Sequence, residues 1–227
     1  ASLVAGTNIT LTHGAGTITI DAAGGGGGGL TAPTLRSSAI QSSSASSYNV
    51  TFPTGATAGD VCVLMAGHGY QATNPTGWTV IDNLAGGNFN GGGWAKQLTS
   101  ADITTGYVTL SFAGAYNGVI AIVCFEGVTG AIRTHFSERN SGGASTRTLS
   151  TSWDIAATDY VLYFGAHRAN DTVTCSVGDA LQTVSASEAS GVLTGEVPAT
   201  AGVISAVWSY PTTPSGDYQI LIALEGT

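Results

Sequence analysis

Short segments of alternating or unbroken apolar residues recur along this chain, separated by clusters of Gly, Pro, Asn and Ser. No window carries a helical period. Thr7-Asn8-Ile9-Thr10-Leu11-Thr12 and Thr17-Ile18-Thr19-Ile20-Asp21 alternate with period two around His13-Gly14-Ala15-Gly16, the pattern of a small hairpin. Its apolar stripe would be Ile9, Leu11, Ile18 and Ile20. Beyond the glycine run 24–29, strands are expected at 34–40, 47–52, 60–67, 78–83, 92–98, 106–112 and 118–126. A second set is expected at 132–138, 146–151, 159–167, 180–184, 191–197, 202–209 and 217–225. Turn signals such as Phe52-Pro53-Thr54-Gly55, Asn74-Pro75-Thr76-Gly77 and Asn90-Gly91-Gly92-Gly93 separate them.

The two sets are one pattern written twice. A shift of 99 residues places Asp60 on Asp159, His68 on His167, Glu126 on Glu225 and Gly127 on Gly226. The halves run 30–128 and 129–227, with a turn rather than a linker between them. Many short strands at this spacing predict an all-β, jelly-roll-like two-sheet sandwich with an internal two-fold repeat. The expected organisation is an N-terminal β-hairpin peg at 1–23, a glycine linker at 24–29 and a sandwich head at 30–227. An isolated two-stranded hairpin is marginal in water, and six glycines form a flexible coil reaching roughly 13 Å. The apolar stripe is therefore expected to find its partner on other copies of the hairpin or on a larger assembly.

Composition narrows the class. Of 227 residues 43% are hydrophobic, enough for a sizeable core, but only 9% are charged, against roughly 25% in an average soluble domain. Solubility must come from Ser, Thr, Asn and Gly, a balance common in extracellular and virion β-proteins. The net charge of −8, with Lys96 and five arginines on the basic side, argues against nucleic acid and anionic membranes as partners. No apolar run approaches the roughly 20 residues of a membrane span. The chain opens in the peg with no signal-peptide pattern, which suits intracellular assembly followed by lysis. Three cysteines are an odd count. Cys62 and Cys124 with Trp78 between them superficially suit an immunoglobulin-type pin, but Ile122 stands where the corner tyrosine would be. The repeat also replaces the two cysteines with Val161 and Ala223. All three are read as buried thiols.

Leu3-Val4-Ala5-Gly6-Thr7-Asn8-Ile9-Thr10-Leu11-Thr12, followed by Gly16-Thr17-Ile18-Thr19-Ile20, resembles short segments in tail fibres, spikes and other surface proteins of tailed bacteriophages and phage-like particles. The body resembles a module of phage structural proteins. Gly59-Asp60 opens an apolar strand, Pro75-Thr76-Gly77-Trp78-Thr79 and Trp94-Ala95-Lys96 follow, and Ala121-Ile122 to Gly127-Val128 come later. The resemblance implies a trimeric stem followed by a β-sandwich head on a virion or cell surface, and no particular ligand.

Candidate chemistry is sparse. Asp60 sits at a Gly-Asp turn where its carboxylate can accept backbone N–H bonds, and Glu126 and Glu225 end strands, so the repeated Asp, His and Glu read as structural. No nucleophile elbow, metal-ligand spacing, Cys-x-x-Cys pair or phosphate loop appears. The expectation is no catalytic residue, no metal and no cofactor. Trp78, Trp94 and Trp208 align with Leu181, Leu193 and Phe112, which are core types. Ligand-binding candidates are the loop residues Tyr70, Asn74, Phe89 and Asn90 in the first half, with Arg168 and Asn170 in the second. Aromatic faces and amides suit neutral glycans, and Arg168 suits an acidic one. The expected protein is a non-enzymatic virion surface component, trimeric through its peg. Its partners would be other virion proteins (capsid or tail) and host surface polysaccharide. A carbohydrate-binding or adhesive module of a secreted bacterial protein is the alternative, and a polysaccharide depolymerase is disfavoured because no close acidic pair is identifiable.

Overall fold

In the computed structural model, residues 9–14, 17–22, 31–140, 144–151, 155–186, 189–212 and 215–227 are described. The chain forms two compact units, Ala1–Thr31 and Ala32–Thr227. In the first, β1 (Ile9–Gly14) and β2 (Thr17–Ala22) pair antiparallel, with Leu11 opposite Ile20 and His13 opposite Ile18. Cross-strand partners share a face and every second residue repeats it. Positions 9, 11, 18 and 20 therefore fall on one side of the ribbon by register. The glycine run at 24–29 lies outside the described residues.

The second unit is all β apart from one short helix, the class the alternation predicts. Its first half comprises β3 (Thr34–Ser43), β4 (Ser47–Thr51), β5 (Val61–His68), β6 (Ala72–Thr73), β7 (Thr79–Leu84), β8 (Asn90–Gln97), α1 (Ser100–Thr105), β9 (Tyr107–Phe112) and β10 (Gly118–Glu126). The second half comprises β11 (Val128–Asn140), β12 (Thr146–Ser150), β13 (Tyr160–His167), β14 (Thr174–Cys175), β15 (Asp179–Ala186), β16 (Ala189–Glu196), β17 (Ser205–Ser209) and β18 (Asp217–Gly226). Each half is a two-sheet sandwich. A five-stranded sheet in the order β3-β10-β5-β8-β7 covers a three-stranded sheet β4-β9-β6, and β11-β18-β13-β16-β15 covers β12-β17-β14.

The two large sheets also pack against each other, giving four layers and three cores. Val61, Val63 and Met65 on β5 join Leu162, Phe164 and Ala166 on β13 in the central core. The alternate residues Cys62, Leu64 and Ala66 turn into the first half's own core, and Val161 and Tyr163 into the second's. Burial on both faces explains why the central strands read as continuous apolar runs rather than as alternation. Contacts between the large sheets come in exchanged pairs, β3 with β15 and β11 with β7, β10 with β16 and β18 with β8, while β5 meets β13. That is the pattern of a two-fold axis, so the histidine-bearing ends of β5 and β13 lie at the same end of the body.

Several expectations are corrected. Cys62 and Cys124 are not thiols but a disulfide. They stand directly opposite each other on neighbouring antiparallel strands, fully buried, so the bond staples one sheet rather than pinning two. Cys175 alone is free. Asn90-Gly91-Gly92-Gly93 is strand, not turn. A Cβ at Gly91 would enter the Tyr218 ring and one at Gly92 the Trp94 indole, while Ile220 lies 3.1 Å from the Cβ position of Gly93. Glycine here marks close approach of neighbouring side chains. The register also shifts all three tryptophan equivalences. Leu181 matches Ile81, both bulged beside the central core, and Trp78 falls on Gly178. Trp94 faces Leu64 while Thr194 faces Tyr163 at the matching position, so Thr194, not Leu193, is the counterpart of Trp94. Trp208 corresponds likewise to Leu110 rather than Phe112.

Candidate ligand surface

At the end of the body where β5 and β13 finish, loops from both halves meet. Arg168, just after β13, donates its backbone N–H to Gly216 O at 3.0 Å, and Gly216 in turn abuts Phe89. The Arg168 guanidinium lies over the Tyr116 ring, 4.6 Å from its centroid. Tyr116 meets Tyr70 edge-on at 6.0 Å. Two glycines build this pair, because a Cβ at Gly69 would collide with the Tyr116 ring and one at Gly114 with the Tyr70 ring. Tyr70 is 43% exposed. The Tyr116 hydroxyl is buried and has no hydrogen-bond partner among the described residues.

His68 anchors the patch from below. Its Nε2–H donates to Tyr116 O at 2.7 Å and its Nδ1 accepts the Tyr70 N–H at 2.9 Å, which assigns the neutral Nε2-protonated ring. The imidazole stacks on Phe112 at 3.7 Å, and burial pushes its pKa down to about 4. His167, its repeat counterpart, is also fully buried and depressed by burial, with Asp171 and Asp217 opposing. Its Nε2 approaches Asp171 Oδ1 at 2.5 Å, off the hydrogen-bond direction. An unfolded histidine titrates near 6.5. Below that pH the unfolded chain takes up protons that folded His68 refuses, so stability complete above pH 6.5 is lost as the pH falls towards 4. The expected loss from His68 is about 3 kcal/mol, with His167 acting in the same direction. Urea midpoints measured from pH 7.5 to 4.5 check this, and a flat profile would contradict it.

The six candidate ligand residues divide. Tyr70 and Arg168 come together through Tyr116, which the sequence reading missed. Phe89 is fully buried in the central core and offers no ring to a ligand. Asn90 is buried too, accepting from Gly86 N–H and donating to Gly69 O, both at 2.9 Å. Asn74 accepts from the Trp94 indole at 3.0 Å and from Asn83 at 2.8 Å, so its oxygen satisfies a buried donor. Asn170 is exposed and accepts from Ser185 Oγ at 3.0 Å.

The repeated acids lie at the opposite end of the strands and form two braces. Arg36 Nε sits 2.8 Å from Asp60 while its other arm reaches Glu126 at 2.5 Å. Arg133 holds Asp159 and Glu225, each at 2.9 Å. Asp60 also accepts the Thr57 N–H and Asp159 the Ala156 N–H, both at 2.8 Å. A groove of about 690 Å³ is lined by β5, β7, β8 and β11, with Val61, Ile81 and Ile132 among its apolar residues and Lys96, Arg133 and His135 among its polar ones. Lys96 is engaged by Asp102 at 2.5 Å and Arg133 by its brace, so both cationic side chains of the groove are already paired. Among the described residues no cluster of three or more His, Cys, Asp or Glu is arranged to hold a metal, and no helix is long and apolar enough to cross a membrane.

No family matches the chain, and no curated protein matches it. A solved structure, a conserved protein of unknown function from Pseudomonas aeruginosa, is similar over 84% of this chain and 82% of that one, at 9% identity and a TM-score of 0.29.

Proposed function

We propose that this protein is a non-enzymatic component of a phage virion surface, a fibre, spike or capsid decoration, trimeric through its N-terminal ribbon. Its sandwich head would attach the particle to host surface polysaccharide. The observation that carries this reading is the separate paired ribbon β1–β2, whose apolar positions 9, 11, 18 and 20 share one side by register. A two-stranded ribbon of this size needs a further surface to be stable, and sister ribbons supply one. The head contributes loops from two rigid sandwiches gathered at one end, where several weak sites would gain avidity by acting together. Native mass measurement tests the peg. The full chain is expected as a trimer and a chain starting at Leu30 as a monomer. Equal monomer masses would remove the trimer.

One observation favours the second reading, an adhesive or carbohydrate-binding module of a secreted bacterial protein. The Cys62–Cys124 disulfide belongs to an oxidising compartment. Peptide mass spectrometry of purified particles against culture supernatant separates the two.

A further inference from the structure

We infer that Tyr70, Tyr116 and Arg168 form a composite site for a carboxylate-bearing sugar, a uronate or a similar acidic pyranose. The inference rests on the attachment reading and names its ligand class. Three features of the loop end point to it. Tyr70 is 43% exposed, and aromatic surface of this kind can pack against the C–H side of a pyranose. The Tyr116 hydroxyl lacks a partner among the described residues. Arg168, like Arg139, makes no ion pair among the described residues, whereas Arg36, Lys96, Arg133 and Arg147 do.

A guanidinium seated over an aromatic ring without a carboxylate partner keeps N–H groups available to a ligand. Those groups match a carboxylate through two parallel charge-assisted hydrogen bonds. The carboxylates nearby do not compete for them. Asp171 accepts from Thr212 N–H at 3.0 Å and contacts His167, while Asp217 is bound by Arg147 at 3.1 Å and by Gln219 at 2.9 Å. Overall negative charge disfavours polyanions at long range, so recognition must be local and directional. Because Arg168 belongs to the second half and both tyrosines to the first, the site exists only in the packed pair.

The test titrates the full chain with the tetrasaccharides of galacturonate, mannuronate and hyaluronan. The carboxyl-reduced form of each and dextran sulfate serve as controls, beside an array of neutral glycans. At least one acidic tetrasaccharide is expected to bind about tenfold more tightly than its reduced form. Arg168→Gln should abolish that preference, and Tyr70→Ala should weaken both forms. Arg168→Lys, which keeps the charge and loses the fork, should recover only part. Thermal midpoints of the variants are expected to stay at the parent value, and a lowered midpoint moves the decision to the Lys variant. Full recovery by Lys, equal binding of acidic and reduced forms, or a preference that survives Arg168→Gln would each overturn the site. So would dextran sulfate binding that ignores Tyr70. Binding confined to neutral glycans overturns this site and leaves attachment standing, whereas no binding to any glycan overturns both.

Discussion

Replacing Cys62 with Val and Cys124 with Ala is expected to lower the unfolding free energy by about 4 kcal/mol. The bond closes a loop across a sequence separation of 62, and the loss is the chain entropy returned to the unfolded state. The choice of substitutes comes from the molecule itself. At the matching register of the second half, Val161 stands opposite Ala223, both fully buried, so the variant borrows a pair already proven to pack there. The packing contribution is thereby held nearly constant and the covalent one removed. Reductant should leave the folded parent unchanged, because both sulfurs are buried. It should lower the parent's urea midpoint to that of the variant once unfolding exposes them. Equal midpoints with and without reductant would return both residues to thiols.

The places where sequence and structure agree, and where they part, have physical causes. β5, β10, β13 and β18 were legible within a residue or two, since strands buried on both faces leave unbroken apolar runs. The helix α1 was not legible, being six residues long and too short to show a period. Its signal was the capping box, with Thr99 Oγ1 accepting the Asp102 N–H, closed by Gly106 at φ 79°. Glycine misled at 90–93 because a triplet inside a strand carries the same letters as a turn, and the side chains packed on it, Tyr218, Trp94 and Ile220, tell them apart. An odd cysteine count hid a disulfide that depends on register. At the candidate surface Tyr70 and Arg168 were found as polar-loop residues. Tyr116 was not, since nothing in Gly114-Ala115-Tyr116-Asn117 announces that a residue from the other half will lie across its ring. Phe89 and Asn90 had the composition of a loop tip and the burial of a core, Phe89 because the second sandwich packs over it and Asn90 because it bonds Gly69 and Gly86 of its own half.

The braces carry the other large expected effect. Asp159→Ala should cost about 3–5 kcal/mol, the usual loss when one partner of a buried ion pair is removed. Its side chain is fully buried, and its removal strips Arg133 of one acceptor and leaves the Ala156 N–H unmatched. Glu225→Ala touches the same arginine yet should cost no more than about 1 kcal/mol, because that carboxylate is one-third exposed and screened by water. Asp60→Ala should follow Asp159→Ala, its carboxylate being 4% exposed and held by Arg36 and Thr57 in the same way. The arginines themselves escape the 99-residue repeat. Arg36 and Arg133 are 97 apart yet hold the same place, each the extra residue where the edge strand shifts register, between Leu35 and Ser37 and between Ile132 and Thr134. The offset arises because the stretch to the next strand is two residues longer in the second half. Acid and arginine thus recur together in the structure, the bulge turning each guanidinium to its pair of carboxylates. Chemical denaturation of the three variants decides the matter. Two large losses and one small one make the acids supports beneath the sheets, and three small losses would reopen them as candidates for chemistry.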